Sequence, residues 1–174
     1  MPRTQLFPPM LKIVFSTGDQ NVGGSRDLFM TDLSGTPPLP LAESFGVDGD
    51  DHWFSPDGNT LIVSGNGLSV SYDVSTPTPS SPTVLLSQGA QAASVQWAPD
   101  GSGIAYQFNG DLYWMDLSGA TPGAPSKLNA SATDVNWLSF SPDRGWLGHR
   151  GEVAGTSQVF LTPFAGGPRR QRLS

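Results

Sequence analysis

The Pro-Asp-Gly element of this chain returns at a fixed interval. Pro56, Pro99 and Pro142 stand 43 residues apart, and a degenerate copy lies 48 residues upstream at Pro8. With these prolines superposed, "QLFPPMLKIVF" falls against "VQWAPDGSGIAY". Leu6, Phe54, Trp97 and Phe140 then share one column, and Ile13, Leu61, Ile104 and Leu147 share another. The extra length of the first copy falls in the polar, glycine-rich "STGDQNVGGSRD". An internal period of this size restricts the fold more than any other property of a sequence, because each unit must bury its apolar face against a neighbouring unit.

Within a unit the pattern predicts four short strands. An inner strand ends at Leu6, Phe54, Trp97 or Phe140, and a tight turn follows. Proline presets φ there, aspartate bonds to nearby amides, and glycine tolerates positive φ. A second strand runs through "KIVFS", "TLIVS", "GIAYQ" and "WLGHR", and a third through "LFMTDL", "SVSYDV", "LYWMDL" and "VFLTPF". A short fourth strand lies near Leu41, Leu85, Leu128 and Leu173. Asp32, Asp73 and Asp116 share a column that Pro163 breaks. No stretch carries a 3.6-residue apolar stripe over three turns, so almost no helix is expected.

Four-stranded units of about 43 residues in tandem are the mark of β-propeller blades. The expected fold class is therefore all-β, a single β-propeller domain over residues 1–174, with blades at about 1–43, 44–88, 89–130 and 131–174. The 21 glycines and 16 prolines fit a chain of many turns, and 9 Phe, 5 Trp and 3 Tyr spread between those turns supply a core.

The wording of the repeat carries a resemblance. An aromatic residue, Ser or Ala, Pro-Asp-Gly, an apolar strand and then "DLYWMDLSG" is similar to the TolB-type, WD-like propeller repeat, and to blades of the tricorn protease and prolyl oligopeptidase families. The match is close in copies two and three. Arg144 replaces glycine in copy four, and Pro9-Met10 replace Asp-Gly in copy one. The resemblance implies a propeller acting as a recognition scaffold, in a periplasmic or secreted setting. It also implies that hydrolytic relatives keep their catalysis in a separate domain.

Charge and composition exclude several functions. A net charge of −6 opposes binding to a nucleic-acid backbone, and Arg169, Arg170 and Arg172 read as a solvated edge. Cysteine is absent, which removes disulfides and thiol chemistry. No apolar run approaches the roughly 18 residues of a membrane span, and Pro8-Pro9 of "MPRTQLFPPMLKIVF", where a signal peptide would have its apolar helix, are inconsistent with one. There is no Gly-x-Ser-x-Gly elbow, Walker loop or His-Glu-x-x-His, and the only glutamates are Glu43 and Glu152. Neither an enzyme nor a cofactor is expected.

Candidate contact residues cluster ahead of the inner strands. "VDGDDHW" supplies Asp48, Asp50, Asp51 and His52, and "SATDVNW" supplies Asp134 and Trp137. These are the expected ligand or partner contacts. The spacing around Asp48 fails a helix-loop-helix calcium site, with Trp53 where glycine is needed and Asn59 where glutamate should close it, so no metal is assigned. His149 lies in an apolar column and reads as a core residue, and the recurring aspartates read as scaffold hydrogen-bonders. The leading expectation is a non-enzymatic scaffold binding a protein or peptide through its loop face or axial channel. The alternatives are a small-ligand, carbohydrate or metal-binding propeller, or an accessory propeller of a larger hydrolase-like protein.

Ring closure has three solutions. Four blades in one ring need about 90° between neighbours, eight need about 45°, and the chain can also be part of a longer propeller. The first and last copies have drifted furthest from the repeat, which favours a homodimer completing an eight-bladed ring.

Overall fold

Three turns of identical construction organise the computed structural model, which describes residues 12–17, 27–31, 35, 37–41, 51–65, 67–87, 93–128, 133–164 and 171–173. In each turn the amide at position four bonds back to the carbonyl at position one, at 2.9 Å: Gly58 to Ser55, Gly101 to Ala98, Arg144 to Ser141. The aspartate caps an amide two residues on, from Asn59 to Asp57, Ser102 to Asp100 and Gly145 to Asp143. Gly58, Gly101 and Arg144 have φ of 71°, 72° and 60°. Glycine is the default for that conformation, so an arginine there signals a constraint on its side chain.

Each turn joins an inner strand to the next. The second sheet comprises β4 (Asp51–Phe54), β5 (Thr60–Gly65), β6 (Leu68–Asp73) and β7 (Thr83–Leu86), antiparallel and in that order. The third comprises β8 (Ala93–Trp97), β9 (Gly103–Phe108), β10 (Asp111–Asp116) and β11 (Ser126–Lys127). The fourth comprises β12 (Thr133–Phe140), β13 (Trp146–Val153), β14 (Thr156–Pro163) and β15 (Gln171–Leu173). The first shows three strands, β1 (Ile13–Thr17), β2 (Asp27–Thr31) and β3 (Leu39–Pro40). Its expected inner strand at Leu6 lies outside the described residues, as does Asp32.

The second and third strands meet through two-residue turns with both central residues at positive φ, Asn109-Gly110 and Ala154-Gly155. That twist matches the flanking strands. Among the described residues there is no helix. The fold is all-β, four tandem blades of a β-propeller.

Period-two alternation sends each sheet's two faces to different neighbours. Leu61, Val63, Val70 and Tyr72 of the second sheet meet Leu28, Met30 and Leu41 of the first. Val95, Trp97, Ile104, Tyr106 and Met115 of the third meet Ile62 of the second. Val135, Leu138, Leu147 and Phe160 of the fourth meet Ala105 and Leu112 of the third. A blade turns one face to the blade before it and the other to the blade after it; on the second sheet's face toward the third, Ser64 and Ser69 share a buried hydrogen bond of 2.8 Å.

His149 follows the rule. It is buried on the face of the fourth sheet that meets the third, stacked on Phe160 at 5.4 Å and hydrogen-bonded to Thr162 at 3.1 Å. Trp97 is also buried, its indole donating to the Trp53 carbonyl at 3.3 Å. Among the described residues no apolar cluster joins the fourth sheet to the first.

Candidate functional site

Two hollows stand out, one along the inner strands and one between two sheets. One, of about 490 Å³, is bounded by β4 and β8 with Phe140 of β12, and is lined by His52, Trp53, Val95, Gln96 and Trp97. His52 is half-buried, and its Nδ1 is buried without a hydrogen-bond partner. This places the sequence-derived candidate His52 at the axial hollow.

The other candidates fall as follows. Asp48 and Asp50 lie outside the described residues. Asp51 opens β4, and Asp134 is the second residue of β12. Trp137 is 77% exposed with φ of 53°. It occupies a break in register between β12 and β13, as Ser94 (φ 50°) does between β8 and β9. Such bulges re-aim a side chain. Here the Trp137 ring lies under the Arg150 guanidinium, 5.6 Å from its centroid, and lines neither hollow.

The larger hollow, of about 690 Å³, is a groove between the second and third sheets at the Pro-Asp-Gly end, opposite the end where His52 enters β4. Asp57, Asp73, Asp100, Trp97, Gly101 and Leu117 line it. All three carboxyls sit below the usual carboxylate range: Asp57 mainly through the Ser55 hydroxyl, Asp73 through the Ser75 hydroxyl and amide, and Asp100 through the Ser102 amide. Hydrogen bonds to the ionised carboxyls thus favour an anionic groove.

The next inter-sheet position explains why this one is open. Arg144 holds the turn position that Gly101 holds one blade earlier. Its guanidinium pairs with Asp100 and lies over Trp114 and Phe164, at 5.5 and 5.1 Å from the ring centroids. Asp116 also feels that charge, although the Ser118 hydroxyl does most to lower its pKa. In the groove, Asp57 and Asp73 stand where Asp100 and Asp116 stand. Ser71 takes the place of Trp114, paired to Ile62 as Trp114 is to Ala105, and Leu117 takes that of Phe164. Loss of the arginine and of the indole leaves the space. Sequence reasoning did not single out this groove; its signal was the Gly-to-Arg difference between Gly101 and Arg144. Among the described residues no three His, Asp or Glu side chains are grouped to hold a metal.

The architecture these observations define is a β-propeller. No family model matches the chain, and no curated protein sequence matches it. Solved structures share the fold at low identity. A TolB structure from Agrobacterium tumefaciens superposes with a TM-score of 0.61 at 16% identity, over 92% of this chain and 61% of that one. TolB from Acinetobacter baumannii gives 0.63 at 19%, over 94% and 40%. A prolyl endopeptidase gives 0.67 at 17%, over 94% and 26%. The chain thus spans less than two thirds of each of these structures.

Proposed function

We propose that this chain is a non-enzymatic propeller scaffold that binds a protein or peptide partner, and that the groove between its second and third sheets takes a basic side chain of that partner. The observation that carries the reading is Arg144, which fills the matching position one blade on with a guanidinium between a carboxylate and aromatic rings. Asp57 and Asp73 offer an arriving guanidinium the same charge, with Trp97 and Leu117 as apolar walls. Arginine suits such a site better than lysine, because its planar fork pairs and stacks at once. Fold likeness to TolB structures supports a scaffold, and the periplasmic or secreted setting belongs to the same reading.

Calorimetric titration of the chain with a short arginine-containing peptide, its lysine counterpart and its citrulline counterpart tests this. Saturable, salt-sensitive binding ordered arginine over lysine over citrulline is expected. Gly101→Arg should remove it without unfolding the chain, since Arg144 shows that this turn accepts arginine at positive φ. Equal affinity for all three peptides, or undiminished binding by the Gly101→Arg variant, rejects the reading.

A small polar ligand at the axial hollow is the second reading, favoured by the buried, unpartnered Nδ1 of His52.

A further inference from the structure

We infer that Asp100 is shared between the groove and Arg144, so that a guanidinium bound in the groove competes with the Arg144 tie for one carboxylate. The inference rests on the groove reading above and names what regulates that site.

Asp100 serves two inter-blade positions at once. It lines the groove between the second and third sheets, and its Oδ2 pairs with Arg144 of the fourth. Its neighbour Gly101 lines the groove as well, so the tip of this one turn borders both places.

A missing tether leaves Asp100 free for that double role. Asp57 and Asp143 each accept a hydroxyl from the first residue of their own turn, Ser55 and Ser141, at 2.6 Å. The third turn has Ala98 in that place, which offers no hydroxyl. Asp57 also spends its second oxygen locally, on the Asn59 side chain at 3.1 Å. Asp100 takes the Ser102 amide at 3.1 Å on Oδ1, and its Oδ2 answers to another blade. With 48% of its side chain exposed, that carboxylate is open to a second cation. Alanine at 98 and arginine at 144 are thus two linked departures from the repeat.

Two cations then draw on one carboxylate. While Arg144 neutralises Asp100, Asp57 and Asp73 carry most of the attraction for an arriving guanidinium. A ligand that draws on Asp100 weakens the Arg144 bond. Linkage makes the two effects equal: Arg144 lowers the ligand's affinity by the factor by which the ligand loosens Arg144. Both charges are partly exposed, so the factor is about two- to fivefold and shrinks with added salt. Occupancy between blades two and three is in this way felt between blades three and four.

Calorimetric titration of the parent, Arg144→Met, Asp100→Asn and the double variant with the arginine-containing peptide reads the coupling. Methionine keeps bulk against Trp114 and Phe164, so the vacated position does not become a second site. Arg144→Leu repeats the comparison should the methionine variant lose the parent circular dichroism. Arg144→Met should bind about two- to fivefold tighter than the parent at low salt. In the Asp100→Asn background the same substitution should change nothing, whereas plain charge repulsion would act in both. The arginine Nε resonance that Arg144→Met removes from the NMR spectrum should also shift as the parent takes up peptide. A parent that binds the peptide while Arg144→Met binds no tighter, or tightens equally in the Asp100→Asn background, overturns the sharing and leaves the groove reading standing. A parent that binds no arginine peptide rejects the groove reading, and the sharing falls with it.

Discussion

Arg144 of the fourth sheet crosses to Asp100 of the third, and its guanidinium rests on Trp114 and Phe164, rings contributed by the two sheets it joins. A single long side chain thus ties two blades together at a turn built elsewhere with glycine. The pair is half-exposed, with side-chain exposures of 29% and 48%, so its Coulombic part is small and sensitive to salt.

Two substitutions separate that tie from the backbone beneath it. Arg144→Ala loses the contacts and keeps the positive φ, and should cost about 1–2 kcal/mol, from the exposed pair and the cation–π contacts together. Arg144→Gly loses the same contacts but relaxes the backbone, and should fall within about 1 kcal/mol of the parent. Urea denaturation of the two variants at low and high salt measures the difference.

Trp97→Ala should destabilise by about 3–5 kcal/mol, the range for truncating a buried aromatic. Its indole is 6% exposed, packs with Tyr106 and Met115, and bonds to the carbonyl of Trp53 in the preceding blade. A loss below about 1 kcal/mol in a denaturant melt would remove Trp97 from the inter-blade core.

Gly103→Ala tests a close approach. A Cβ there would lie 2.3 Å from the Met115 carbonyl oxygen and 2.6 Å from the Trp114 ring. The carbonyl belongs to the β9–β10 ladder and cannot step aside, so about 1–3 kcal/mol of overpacking is expected. The displaced indole should also loosen Arg144, which double substitution with Arg144→Ala reads as non-additivity.

Acid should melt the turns together. Asp57, Asp73, Asp100, Asp116 and Asp143 all have folded pKa values below the ordinary 3.8, because hydroxyls and amides bond their ionised forms. A depressed folded pKa means stability that is fully present above the unfolded value and is lost as pH falls through the folded one. The melting temperature should hold flat at neutral pH, begin to fall near pH 4 and keep falling below it. Ser55→Ala and Ser141→Ala, which remove the main hydroxyl donors to Asp57 and Asp143, should flatten that acid slope.

The strand order, the turn positions and the four-blade count follow from local chemistry. Period-two alternation and the Pro-Asp-Gly turns act over fewer than ten residues, so a linear reading of "FSPDGNTLIVS" or "WAPDGSGIAY" already contains them. The scaffold role of the aspartates was legible for the same reason, each bonding an amide two residues away. His149 was legible as core because its column is apolar in every other copy.

What the sequence left open depends on residues about one blade apart. Gly101 and Arg144 differ by one letter in a repeat, and only packing shows that one leaves a groove and the other fills its counterpart with a bond to Asp100. Asp51, His52 and Trp137 looked alike as residues ahead of an inner strand. The tertiary structure put His52 on the axial hollow and turned Trp137 to the outer face of the last blade, because a bulge rotates the side chain that follows it. Periodicity states how many blades there are and which residues alternate. Which face meets which neighbour is decided by contacts between blades.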